Sequence, residues 1–279
     1  GNLFFWDATD ALTTRGVLLS SETNASNVPV KVNTVLVSDN RFVFCFGTNV
    51  LGSTDLDPML LRWSDQENAI NWTPSSTNQA GDLRLSKGSE IITAVQGRQE
   101  ILVWTDSALY ALQYVGAPAV WSSQTVGENL SIASTRSVAY ANGVAYWMGV
   151  GGFYRYDGRV QSLPCTVKRY IFNDFNTEQY DQVFAGTNEA FSEIWWFYCP
   201  LGSTTASRYV IYNYAQNIWY YGNLSRSAWI DSGIRDFPLA ATYNNNVVNH
   251  EDGIDDNETG TNAGISSFIT SAQFDLDDG

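Results

Sequence analysis

The stretch that most constrains this chain runs from Gln182 to Gly222, QVFAGTNEAFSEIWWFYCPLGSTTASRYVIYNYAQNIWYYG. Four short runs, VFAGT, EIWWFYC, RYVIYNY and NIWYYG, are dense in aromatic and β-branched residues, the side chains that suit a pleated, half-buried surface. The turn-formers NEAFS, PLGSTTAS and AQ separate them. Connections this short join neighbouring antiparallel strands, so the stretch predicts one four-stranded meander. A lone meander cannot bury both faces, and four strands this apolar imply that the unit recurs.

It does recur. TVLVSDN, RFVFCFGTN, MLLRWSDQEN and INWTP form a first copy; IITAVQG, RQEILVWTD, SALYALQYVG and APAVWSSQTV a second; TRSVAYANG, VAYWMGVGG, FYRYDG and RVQSLP a third. Asn142-Gly143, Gly151-Gly152 and Asp157-Gly158 fall where hairpins need positive φ. A weaker fifth copy contains PLAATYNN, NVVNHEDG and SSFITSAQFDL, its middle replaced by the acidic insertion IDDNETGTNAG, and NLSRSAWIDSGIRDFP before it reads as an irregular connection. Anchors at Val35, Ile92, Val138, Val183 and Leu239 lie 57, 46, 45 and 56 residues apart. Four strands per period of roughly 40 to 50 residues is the pattern of β-propeller blades.

The expected architecture is therefore all-β, a β-propeller-like array of four-stranded antiparallel meander blades. An N-terminal segment, 1–33, supplies a strand pair or partial blade, and a propeller domain, 34–279, carries blades near 34–74, 91–126, 135–164 and 182–222 with a partial blade over 237–279. One short helix is predicted within CTVKRYIFNDFNTEQYDQ, where Val167, Tyr170, Ile171 and Phe175 share a helical face. The start at Gly and the stop directly after a strand-like run suggest a piece of a longer polypeptide.

Composition narrows the function. With 10 Trp, 15 Tyr and 14 Phe and only 16% charged residues, the core material is aromatic. The net charge of −14 disfavours a surface that wraps nucleic acid or anionic lipid, because counterion release needs Lys and Arg opposite the phosphates. An acidic wall beside DNA suits passage and not capture. Cys45, Cys165 and Cys199 show no metal-binding spacing and read as buried free thiols from a reducing compartment. No apolar run of about 18 residues is present to span a membrane.

Catalytic material is sparse. His250 is the only histidine and stands beside Glu251, Asp252, Asp255 and Asp256, which reads as a solvated turn. The spacing departs from a calcium-binding loop, so no metal site and no cofactor are assigned, Asp252, Asp255 and Asp256 being the nearest to one. GxSxG, HExxH and P-loop patterns are missing, and no catalytic residue is assigned. Candidate partner-contact positions sit in loops: Asp55, Asp57 and Pro58; Pro118 within Gly116–Pro118; and His250, Glu251, Asp255 and Glu258.

The runs LRWSDQENAINWTP (61–74), ILVWTDSALYALQY (101–114), VAYWMGVGGFYRYDGRVQSLPCTV (144–167) and LAATYNNNVVNHEDGIDDNETG (239–260) resemble the tail nozzle proteins of short-tailed bacteriophages, also called hub or tail tubular protein B. The similarity covers about residues 34 to 279. It implies a non-enzymatic virion subunit, built in the host bacterial cytoplasm, that forms a six-fold ring at the distal end of the tail. Such a ring continues the DNA channel below the portal and adaptor rings and offers outer surfaces to tail fibres or spikes, with DNA passing through unbound. Two other classes stay open: a carbohydrate-binding or glycoside-active propeller, and a receptor-binding virion protein.

Overall fold

The computed structural model describes residues 1–258 and 260–265. It divides into two compact units, Gly1–Ser225 and Arg226–Gly279. In the first unit a strand pair, β1 (Phe4–Phe5) and β2 (Val17–Leu18), precedes four sheets. The first contains β3 (Val32–Val37), β4 (Val43–Asn49), β5 (Leu56–Trp63) and β6 (Gly81–Arg84). The second contains β7 (Ile91–Gln96), β8 (Ile101–Thr105), β9 (Ala108–Gly116) and β10 (Val120–Glu128). The third contains β11 (Val138–Ala141), β12 (Val144–Met148), β13 (Phe153–Tyr156) and β14 (Val160–Leu163). The fourth contains β15 (Phe184–Asn188), β16 (Glu193–Tyr198), β17 (Arg208–Asn213) and β18 (Ile218–Asn223). Each sheet follows sequence order and is antiparallel throughout, so the fold is all-β and β-propeller-like.

Strand periodicity sorts the side chains between neighbouring blades. On β8, Ile101 and Val103 join Phe44, Phe46 and Trp63 of the first blade, while Leu102 and Trp104 join Ala145 and Trp147 of the third. On β12, Ala145 and Trp147 face the second blade, and Tyr146 and Met148 face Ile194, Trp196 and Val210 of the fourth. The aromatics meet at tilted and edge angles: Phe44 with Trp121 at 4.9 Å, Trp104 with Trp147 at 5.4 Å, Phe153 with Trp219 at 4.8 Å. Each fully buried Phe contributes on the order of 1.5–3 kcal/mol over its exposed state. Polar threads cross two seams, Asn33 Nδ2 donating to the Ile91 carbonyl at 2.9 Å and the Ala185 amide to the Arg136 carbonyl at 2.7 Å.

The first blade's other face is closed by residues 19–32 and 70–72. Leu19, Val28 and Val32 gather there with Cys45 and Trp72. This explains a departure from the sequence reading. INWTP is not the fourth strand, because Trp72 leaves the sheet for this cluster; its amide donates to the Ser26 carbonyl at 3.0 Å, and the Ser26 amide donates to the Ile70 carbonyl at 2.9 Å. The edge position passes to β6, where Gly81 lies opposite Trp63. A Cβ on Gly81 would stand 2.4 Å from the Trp63 ring, so only glycine fits under that indole.

The predicted helix is shorter than its sequence pattern. Helix α1 (Lys168–Asn173) ends before a 3-10 segment, Thr177–Gln182. Ile171 and Phe175 are buried as expected and Val167 packs half-buried against the same cluster, but Tyr170 points outward at 43% exposure, where its ring lies against Tyr221. In the second unit β19 (Ala228–Ile230), β20 (Leu239–Ala241) and β21 (Val247–Asn249) form a three-stranded sheet. Its first strand falls inside the stretch read as irregular, since Ala-Trp-Ile is too short to show alternation. A small pairing, β22 (Asp255–Asp256) with β23 (Ala263–Gly264), lies within the acidic insertion. SSFITSAQFDL lies outside the described residues.

Candidate functional site

The loop after β4 is held by one amide side chain. Asn49 is buried; its Oδ1 accepts from the Val30 and Lys31 amides at 2.9 and 3.0 Å, and its Nδ2 donates to the Ser53 and Val50 carbonyls at 2.8 and 3.3 Å. All four bonding positions of the amide are used. Beside it lies a pocket of about 520 Å³ lined by Asn27, Val28, Val30, Asn49, Gly52, Ser53, Thr54 and Asp55. Asp55 is exposed on its rim, and Val50, Leu51 and Leu56 are exposed apolar neighbours.

Asp57 and Pro58 are not in this loop. They open β5, where the pairing with β4 is irregular around Gly47, whose φ of +58 marks a bulge. An interior proline is tolerated there because the ladder is already broken. Asp57 pairs with Arg84 at 2.6 Å. Burial opposes its charge, but the Arg84 contact and the Met59 amide outweigh burial and hold its pKa below the usual carboxylate value.

Under the loop, Arg62 is 2% exposed. It meets backbone carbonyls: Nη2 donates to Asn27 O at 2.7 Å and Trp72 O at 3.4 Å, and Nη1 to Asn49 O at 3.4 Å. Its guanidinium lies 6.0 Å from the Trp72 ring centroid. Burial lowers its pKa, with Cys45 and Asp82 acting against that pull. Burial also pushes the neighbouring Cys45 thiol up, and raises Cys165 and Cys199 to about 11. These thiols are neutral and poor nucleophiles near pH 7.

Pro118 occupies an exposed hairpin tip between β9 and β10, behind a cis Ala117–Pro118 bond, next to half-exposed Val115. The third candidate loop belongs to the second unit. His250 is not part of a solvated turn: its Nε2 accepts from Arg226 Nε at 2.9 Å, its amide donates to the Pro238 carbonyl at 2.8 Å, and its ring sits 4.7 Å from Trp229. Burial first, and Arg226 second, push its pKa down to about 4. The imidazole is neutral at pH 7 with the proton on Nδ1, and its acceptor nitrogen is committed to Arg226. That removes it from duty as a general base. Glu258 binds Arg226 Nη1 at 2.9 Å.

Glu251, Asp252, Asp255 and Asp256 are exposed. Asp252 accepts from Asn249 Nδ2 at 3.1 Å and Asp256 from the Glu258 amide at 2.9 Å. Among the described residues no three His, Cys, Asp or Glu side chains gather to hold a metal. Sequence reading missed Arg62, Arg226 and Trp229; the one available signal was an arginine set inside the apolar run MLLRW. Among the described residues no helix is long and apolar enough to cross a membrane.

No family model matches the sequence, and no curated protein matches it. Among solved structures the chain is similar to the extracellular domain of BT4673, a one-component system of B. thetaiotaomicron, at TM-score 0.51 and 11% identity, over 88% of this chain and 29% of that one. It is also similar to Hsv2 of Kluyveromyces marxianus at TM-score 0.44 and 8% identity, over 83% of this chain and 64% of that one. The chain thus spans less than two thirds of either, and at 11% identity the likeness to the first speaks to fold alone. The class established is a β-propeller-like protein of antiparallel four-stranded blades.

Proposed function

We propose that this chain is a non-enzymatic structural subunit of a phage tail, part of a nozzle or hub ring that carries DNA outward and docks neighbouring tail proteins. The observation that carries the reading beyond sequence resemblance is the β4–β5 loop: Val50, Leu51 and Leu56 are 44%, 38% and 52% exposed on a segment that Asn49 fastens from inside. Apolar side chains on a rigid, anchored loop suit a permanent contact better than a transient one. A ring needs a heterologous contact that closes by rotation, and such a loop offers one half of it. Asn49 uses its whole side chain to hold backbone, and the acceptor nitrogen of His250 is taken by Arg226, which supports a scaffold over a catalyst.

The net charge of −14 supports a lumen along which DNA slides without specific binding. On this reading the chain resides in the virion tail after assembly in the bacterial cytoplasm, with the adaptor and portal-side rings and the fibres or spikes as its partners. Electron microscopy of the chain mixed with its neighbouring tail proteins tests it. Rings are expected, and Leu51→Glu with Leu56→Glu is expected to leave folded monomers. A wild-type chain that stays monomeric in that mixture, or an assembled ring with a basic lumen, overturns the proposal.

A further inference from the structure

On the fourth blade one row of side chains runs from the interior to open solvent. Tyr198 on β16 lies opposite Arg208 on β17, and Arg208 opposite Asn223 on β18, so the three share a face. Tyr198 is fully buried and its hydroxyl has no hydrogen-bond partner among the described residues. Tyr221, two residues before Asn223, stands on the same face and is 48% exposed. Helix α1, docked through buried Ile171, lays Tyr170 against it, with ring centroids 4.4 Å apart and planes at 39°.

Arg208 ties the row together. Its Nε lies 3.3 Å from Asp174 Oδ2, and its Nη1 donates to the Tyr170 hydroxyl at 3.4 Å and to Asn223 Oδ1. Two tyrosine rings are thus left in water beside a guanidinium, a carboxylate and an amide whose positions are already fixed. A pyranose presents the complementary surface: an apolar face of C–H groups to lie on an aromatic ring, and hydroxyls at its edge to accept from Arg and donate to Asp. Charge-assisted bonds to hydroxyls are the stronger kind, and fixed partners lose little entropy on binding. The acidic chain favours a neutral sugar over an anionic one.

We propose that Tyr170, Tyr221, Arg208, Asp174 and Asn223 form a binding site for a neutral pyranose unit of a polysaccharide. The sugar ring stacks on Tyr221 and Tyr170 while its hydroxyls bond to Arg208 and Asp174. The site stands independently of ring assembly.

An array of neutral pyranose oligosaccharides probed with the chain, followed by calorimetric titration of the glucan, mannan or chitin-type fragments retained, tests this. Tyr221→Ala and Tyr170→Ala are each expected to weaken binding about tenfold or more, and Arg208→Lys about fivefold by loss of the planar fork. Phe191→Ala, which removes a 52% exposed aromatic elsewhere, is expected to leave it unchanged. Melting curves matching the wild type confirm that the variants fold. No retained glycan, retention of a proline-rich peptide at the same tyrosines instead, or wild-type affinity in both tyrosine variants overturns the proposal.

Discussion

Arg62 and Arg226 are both buried, at 2% and 5% exposure, and they are buried on opposite terms. Arg62 sits in the first unit among backbone carbonyls, those of Asn27, Asn49 and Trp72. Arg226 sits in the second unit against a carboxylate and an imidazole, Glu258 and His250. The first cation works as a clamp: its planar fork gathers carbonyls from three segments that no strand ladder connects. The second is half of a titratable cluster. A buried charge therefore fastens chain in one place and couples to proton concentration in the other, and the partners decide which.

The contrast can be broken first at Arg62. Arg62→Met takes this donor from three carbonyls, and a loss of about 3 kcal/mol in urea unfolding is expected. A change near zero would mean that the carbonyls find other donors and that the clamp is decorative. Asn49→Ala comes next, at about 2 kcal/mol. Hydrogen exchange is expected to rise at Val30 and Lys31 while the amides of Phe44 and Phe46 keep their protection. Equal acceleration at all four would show that the segment and the blade open as one body.

Glu258→Gln carries a smaller expectation, below about 1 kcal/mol, because the carboxylate side chain is 23% exposed and keeps a hydrogen-bonding oxygen as an amide. The proton itself gives a separate signal. His250 is the sole histidine, so its ring resonances report one site. Its folded pKa of about 4 lies below the ordinary 6.5, so the unfolded chain takes up the proton first as pH falls. The contribution is present above pH 6.5 and is lost between 6.5 and 4. A midpoint near 6.5 in the native protein would remove the Arg226 contact, and Arg62 is expected to show no counterpart in that range.

The blades were legible because each is local. Alternation in RFVFCFG and ILVWT, with turn residues such as Asn142-Gly143 at φ 49° and 80°, states strand, face and hairpin within a few residues of chain. What eluded the sequence depends on partners far away in it. Trp72 has the composition of a strand residue and is claimed by Leu19 and Val28. Arg62 sits in an apolar run and shows its role only once residues 27, 49 and 72 converge. His250 looked solvent-facing because its neighbours are acidic, whereas Trp229, on a strand too short to be noticed, and Arg226 just before that strand cover it.

The closure of the first blade has a consequence for biosynthesis. Each later blade is built from strands adjacent in sequence, so it can pair as soon as its own few dozen residues have left the ribosome. The first cannot finish that way. Residues 19–32 emerge early but have nothing to lie on until β4 and β5 exist, and Ser26 waits for Ile70 and Trp72 to arrive 44 and 46 positions later. The nascent chain thus carries Leu19, Val28 and Val32 without their partners through that interval. Pausing or chaperone capture is expected to matter most there, before the second blade has begun to appear.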